Sequence, residues 1–279
     1  MKIKRRRKRK IFAAILLTAV IFLCGCQLWK MSERYVREEQ IKKKIDDYRP
    51  ADIIVQTNKT NKTDKTKEES PSLMPESQVN QFITDLQNEV NKDIAGWINI
   101  PETNIDYPFV KAADNDYYLR RDIFGNYALA GTIFMDYRCD ENFTGFNTII
   151  YGHNMNNGSM FGDLALFGDG GFFEENRTGT IYLKDKTYTL EFFAYMITGE
   201  DDVIIYNQYA APEEGGSEFL EYSEYFEYVE RFARNYREPY KKNNIVTLST
   251  CTYDGGARIV LLANITNYEI INKFKGGDN

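Results

Sequence analysis

The amino-acid sequence predicts a mainly β domain with helices, a barrel or sandwich, carried behind a basic, then apolar, then charged leader. Three observations carry this reading. From Trp97 onward, short runs rich in Val, Ile, Thr, Tyr and Phe recur between Asp and Gly clusters, the pattern of half-buried strands punctuated by turns. From residue 77 onward, helical periodicity is confined to two segments, 77–93 and 217–236. Charge also divides along the chain: residues 1–70 carry 19 Lys/Arg against 9 Asp/Glu, and residues 71–279 carry 16 against 32. An acidic main domain with no basic, aromatic-studded patch argues against nucleic acid as a partner. The 279 residues, 43% hydrophobic and 27% charged, exclude a disordered tail, a collagen-like fibre and a disulfide-dense mini-protein. They suffice for one core of about 200 residues plus appendages.

The leader comes first. Residues 2–10, KIKRRRKRK, hold eight positive charges, and residues 11–29 form a 19-residue stretch without a charge. As a helix that stretch spans about 28 Å, close to the hydrocarbon thickness of a bilayer. Lys and Arg stay on the cytoplasmic side, so residues 1–10 are expected inside, 11–29 across the membrane and everything after Trp29 outside. A cleaved secretory signal would have a shorter apolar region and an A-x-A-like site, and no clear one is present. The run Leu23-Cys24-Gly25-Cys26 resembles a bacterial lipobox, which would place a lipid on Cys26 and remove the helix. Either anchored reading puts the domain on the outer face of a membrane. Residues 30–49 carry Glu33, Arg34, Arg37, Glu38 and Lys42–Lys44 at spacings that suit a solvated helix. Residues 58–72, NKTNKTDKTKEESPS, cannot bury enough surface to offset chain entropy and read as a flexible tether. The leader thus comprises a stalk and linker over 30–75, and the folded domain occupies 76–279.

That domain opens with Val79, Phe82, Ile83, Leu86 and Val90 at helical spacing. Strand-like runs follow at 97–100, 131–136, 147–151, 179–184, 187–197, 245–250 and 258–263, with Asp185-Lys186 as a hairpin tip. Seven or eight short strands with turns between them suit a closed barrel. Phe219, Tyr222, Phe226, Val229 and Ala233 repeat at helical spacing after Ser217, a candidate N-cap, and make an inserted helix.

Chemistry concentrates in two places. TLSTC, 247–251, ends a β-branched run, and TYDGGAR leads to a second run beginning at Arg258. Across a hairpin, that spacing brings a guanidinium toward the sulfur of Cys251. His153, the chain's single histidine, follows another β run in a Gly/Asn-rich loop, 149–164. Thiol, imidazole and guanidinium are the parts needed for acyl transfer: nucleophile, proton donor and oxyanion stabiliser. Spacing alone does not separate this from a satisfied loop histidine and a surface arginine. The cysteines form no C-x-x-C pair, and with one histidine a zinc site is improbable. An outside location permits a Cys139–Cys251 disulfide, though the small polar neighbours of Cys251 favour an accessible thiol. Papain-like proteases are disfavoured because the His precedes the Cys here.

TLSTC followed by Arg258, and YGHNM followed by GSMF, resemble the signature segments of sortases, the cell-wall transpeptidases of Gram-positive bacteria. Residues 96–122, GWINIPETNIDYPFVKAADNDYYLRRD, and 133–138, IFMDYR, are similar to class B sortases, as is a helix inserted before the cysteine strand. The resemblance covers about residues 77–265. It implies an eight-stranded β-barrel with an N-terminal helix, a single anchor and an extracellular catalytic domain. It also implies Cys251 as nucleophile, His153 as general acid and Arg258 as the oxyanion-side or substrate-positioning cation. By the same resemblance Asn115, Leu119, Tyr151, Ser249 and Thr250 would surround a sorting peptide, although Leu119, Tyr151 and Thr250 could instead be core or strand residues. Asp254 reads as a turn residue rather than a third catalytic member. Glu200-Asp201-Asp202 reads as a solvated acidic loop rather than a calcium site, and the class implies no metal or cofactor.

The implied reaction cleaves an LPxTG- or NPxTN-like C-terminal signal after Thr, through a thioester on Cys251, and joins the Thr carbonyl to a peptidoglycan amine. Expected partners are therefore surface proteins bearing such a signal, the peptidoglycan amine and the membrane. Three alternatives remain: a pilin-polymerising sortase, a thiol hydrolase, and a membrane-tethered binding module without catalysis.

Overall fold

A computed structural model describes residues 2–46, 48, 77–210, 220–239, 241, 244–252 and 254–270. The chain divides into two units, Met1–Arg49 and Pro50–Asn279. In the first, helix α1 (Lys2–Asp46) runs unbroken through both the apolar stretch and the charged stretch. Phe12, Ile15, Leu16, Leu17, Val20, Ile21, Phe22, Leu23, Leu28 and Trp29 are exposed along it. Among the described residues, no helix is long and apolar enough to cross a membrane. The side chains of Ile11, Ala13 and Ala14, which belong to the uncharged run, lie outside the described set. So do the tether at 58–72 and the expected domain start near Pro75.

The second unit opens with α2 (Ser77–Glu89), followed by β1 (Ile94–Asn99), β2 (Asp106–Lys111), β3 (Phe134–Met135) and β4 (Asn147–Tyr151). A short helix α3 (Gly170–Glu175), β5 (Thr178–Tyr182) and β6 (Lys186–Thr198) come next. Helix α4 (Tyr222–Phe232), β7 (Asn235–Tyr236), β8 (Ile245–Cys251) and β9 (Arg258–Ile270) complete it. The sheet order is β5-β1-β2-β3-β4-β8-β9-β6-β7, and β5 pairs with β6. Eight strands therefore close on themselves, while two-residue β7 extends the far end of β6. Closure satisfies the edges an open sheet would leave. Two pairings, β2–β3 and β4–β8, are parallel, so the barrel is mixed.

Period-2 alternation sorts the side chains between two cores. Ile259, Leu261 and Ala263 of β9 and Val246 and Leu248 of β8 point into the barrel with Ile98, Phe109, Ile149 and Phe192. The intervening Val260 and Leu262 face outward, where Tyr225, Phe226 and Val229 of α4 cover them with Phe193 and Met196. This double cover explains why β9 reads as an almost continuous apolar run. Elsewhere on the barrel α2 buries Phe82, Ile83 and Leu86, and the Phe82 ring meets Trp97 edge-on at 5.9 Å.

Four details differ from the sequence reading. Strand β2 lies outside the runs that the sequence predicts, because Pro108 inside it forfeits a ladder donor and masks the pattern. The run 131–136 yields only Phe134–Met135 as strand. Helix α2 stops at Glu89, and Val90 lies in the turn that follows. Helix α4 begins five residues after Ser217, which lies outside the described residues, and is capped by Glu221 in a reciprocal box with Glu224.

Candidate active site

The parallel β4–β8 pair sets the site's geometry. Tyr151 registers with Ser249 at the C-terminal ends of the two strands, so two further residues bring His153 and Cys251 to the same level. Gly152 N donates to Ser249 O at 3.1 Å and continues the ladder past the last strand residue. A Cβ on Gly152 would lie 2.7 Å from Cγ of Phe161, so any side chain here forces the Phe161 ring to shift. Phe161 N donates to His153 O at 3.0 Å, and Asn154 Nδ2 donates to Cys251 O at 2.8 Å. The histidine loop is thereby tied to the backbone of the cysteine itself.

His153 Nε2 lies 2.8 Å from the carbonyl oxygen of Leu119. A carbonyl can only accept, so Nε2 carries a hydrogen and the exchangeable proton belongs to Nδ1. Burial, together with Arg120, pushes the imidazolium below its ordinary range, while the Leu119 carbonyl pulls it back up.

The β8–β9 hairpin places Cys251 directly opposite Arg258, and directly paired residues project to the same face. Thr252 N donates to Ala257 O at 2.9 Å, and Gly255 takes φ +72° in the turn between. Arg258 Nη1 donates to Cys251 Sγ at 2.9 Å, while Nη2 donates to Glu200 Oε2 at 2.7 Å. One guanidinium fork thus spans the thiol and a carboxylate. Asp254 accepts from Thr252 Oγ1 and Gly256 N within the turn and stays away from His153's hydrogen bonds.

All eight residues nominated from the sequence line one groove of about 230 Å³: Asn115, Leu119, Tyr151, His153, Ser249, Thr250, Cys251 and Arg258. Asp116, Phe134, Gly152, Glu200 and Tyr206 complete its wall. Leu119 contributes its carbonyl to His153 besides lining the groove. Asn115 is engaged at both ends, donating to Asp136 Oδ2 at 3.0 Å and accepting from Tyr137 N at 3.0 Å. Thr250 Oγ1 is buried in the groove wall with no hydrogen-bond partner among the described residues.

Tyr206 was missed. Its hydroxyl lies 2.9 Å from Ser249 Oγ, and burial raises it to about 12. Nothing local in VIIYNQY marks it, because a loop held by Asp202 brings it in. That carboxylate accepts from the amides of Ile204 and Ile205, from Thr198 and from Tyr228 of α4. Glu200 and Asp201 are exposed, as expected of a solvated acidic loop, while Glu200 also meets Arg258 and Asp202 is held by protein donors. Among the described residues, no three His, Cys, Asp or Glu side chains gather where they could hold a metal ion. Cys139 and Cys251 are both free. The Cys139 thiol is buried, which pushes it up to about 11, and it donates to Asn147 O and accepts from Ile149 N.

Known proteins resemble this chain in sequence and fold. The Sortase domain model matches residues 98–266. Sortase B of Listeria monocytogenes is 36% identical over 192 residues, 66% of this chain and 74% of that protein. The crystal structure of Clostridium perfringens sortase B superimposes with a TM-score of 0.59 at 32% identity, covering 66% of this chain and 99% of that one. Sortase B from the type II pilus of Streptococcus pneumoniae gives 0.55 at 36% identity, over 66% and 98%. With its eight-stranded barrel and a free cysteine closing the penultimate strand, the chain belongs to the sortase family, as a cysteine transpeptidase of class B.

Proposed function

We propose that Cys251 is the nucleophile, His153 the general acid and Arg258 the oxyanion-side cation of a transpeptidase that acts on a C-terminal sorting signal of LPxTG or NPxTN type. The observation that carries the reading is the 2.9 Å hydrogen bond from Arg258 Nη1 to Cys251 Sγ, in a groove that also holds His153. The Cys251 thiolate attacks the Thr carbonyl, and the negative charge developing on that oxygen falls near the guanidinium. The Thr–Gly or Thr–Asn amide then breaks as His153 gives its Nδ1 proton to the leaving amine, leaving a thioester. An amine of the peptidoglycan peptide attacks that thioester, His153 takes the amine proton, and the thiolate leaves. One amide is exchanged for another, and the enzyme returns unchanged. Asn115, Leu119, Tyr151, Ser249 and Thr250 form the wall along which the signal lies.

On this reading the substrates are surface proteins, and the product is a protein joined to the cell wall. The uncharged run 11–29 serves as a single-pass anchor, with the basic residues 2–10 inside and the catalytic unit outside. The charge asymmetry across the run supports that orientation, and the exposed apolar side chains of α1 support an anchor. A second acceptor, a pilin lysine, is favoured by the likeness to the pilus-associated S. pneumoniae enzyme.

The test incubates the full-length protein with quenched peptides of both signal types, with a peptidoglycan-type amine, a pilin-type lysine peptide, or neither. Cleavage abolished by Cys251→Ala and His153→Ala, with an amine-dependent product, is the expected result. Cleavage that survives Cys251→Ala refutes the assignment.

A further inference from the structure

Asp136 follows β3, is fully buried, and lies outside the groove lining. A lone carboxylate there would be costly. Arg138 neutralises it through a fork, with Nε to Oδ1 at 2.9 Å and Nη2 to Oδ2 at 2.8 Å, and adds its backbone N at 3.0 Å. Burial raises the carboxyl, but the Arg138 and Asn115 hydrogen bonds outweigh it and hold the group at about 2. What remains of Oδ2 is directed at the groove wall: it accepts from Asn115 Nδ2 at 3.0 Å and from Tyr151 Oη at 3.1 Å. Those two residues come from different segments, the loop after β2 and the end of β4. The Tyr151 ring also lies 5.3 Å from Phe134 and 6.3 Å from Tyr206, both in the same wall. An ion pair serving stability alone has no need to end on two groove side chains. This one fixes the amide of Asn115 and the ring plane of Tyr151 together, because moving either breaks a bond to the same oxygen.

We propose that Asp136, locked in place by Arg138, is a positioning residue for signal recognition: it orients Asn115 and Tyr151 against the sorting peptide without touching the peptide itself. The proposal deepens the reading of this groove as the sorting-peptide site and rests on it.

The experiment measures binding of fluorescent LPxTG- and NPxTN-type peptides to the full-length Cys251→Ala protein, which cannot turn them over. Asp136→Asn, Tyr151→Phe and the double variant are compared on that background, and steady-state cleavage is measured with Cys251 restored. Losing a hydrogen bond to a charged group corresponds to about a tenfold or greater change. Kd and KM are accordingly expected to rise about tenfold in each single variant, with kcat within about threefold. The double variant should be no worse than the weaker single, because both changes remove the same linkage. Additive losses, or a folded Asp136→Asn protein with unchanged Kd, overturn the proposal. Should Asp136→Asn fail to fold, Tyr151→Phe, Asn115→Ala and their double decide the matter by the same criterion. Binding without cleavage in the Cys251-containing protein would sink the catalytic assignment and leave this proposal standing. No binding of either peptide would sink both.

Discussion

Replacing Arg258 with alanine removes a cation whose two arms do different work, and the structure separates their magnitudes. The Nη2 arm meets Glu200, whose side chain is 71% exposed. An ion pair so open to solvent contributes about 0–1 kcal/mol, so its loss should move the melting temperature by no more than a few degrees. The Nη1 arm meets the sulfur at 2.9 Å, where the proposed mechanism has it face the developing oxyanion. Removing one oxyanion donor costs on the order of 3–4 kcal/mol in the transition state, or about 10²–10³ in rate. The expected outcome of Arg258→Ala is therefore a kcat/KM lower by two to three orders of magnitude, carried mainly by kcat, in a protein that melts like the wild type. Arg258→Lys keeps the charge but cannot present two parallel donors, so it should fall between the two. Steady-state cleavage of the quenched peptide, paired with thermal denaturation of the same preparation, reads both quantities. An Arg258→Ala protein within threefold of wild-type kcat/KM would refute the oxyanion argument. A loss of rate matched by a collapse in melting temperature would assign Arg258 to stability instead.

Other consequences follow from individual residues. His153 titrates below its ordinary 6.5 because of burial and Arg120; the acid limb of kcat/KM should therefore lie below pH 6.5, and a limb above it would contradict the environment described. The same depression means that the unfolded chain binds more protons below pH 6.5. His153 thus contributes stability that is present above that pH and lost as pH falls through the folded value, and His153→Gln should flatten the melting curve against pH between 7 and 5. Gly152→Ala places a Cβ 2.7 Å from Phe161; overpacking of about 1–3 kcal/mol and a displaced His153 should lower both melting temperature and kcat, whereas unchanged values would show that Phe161 yields freely. Leu261, fully buried inside the barrel, should cost about 2–5 kcal/mol as Leu261→Ala in denaturant unfolding, and a cost below 1 kcal/mol would argue against a packed interior there.

The sequence by itself determined the strand-rich class, the inserted helix and the three chemical groups, because those signals are local. Alternation along 187–197 and 258–263, periodicity from Tyr222 to Val229, and a lone histidine and a strand-ending cysteine can all be seen in a window of a few residues. The Cys251–Arg258 contact is nearly local as well, since one hairpin register sets it. Only the tertiary structure decided what lies between distant segments. The parallel β4–β8 register that levels His153 with Cys251 joins residues about 100 apart, and parallel pairing leaves no turn motif for a reader to find. Tyr206 reaches Ser249 because Asp202 and α4 shape its loop. Asp136 acquires its role from a buried charge shared among three segments. Pattern along the chain reports which face of a strand is apolar. Which strand lies beside it, and which carboxylate comes to rest between two groove residues, is decided by closing the barrel.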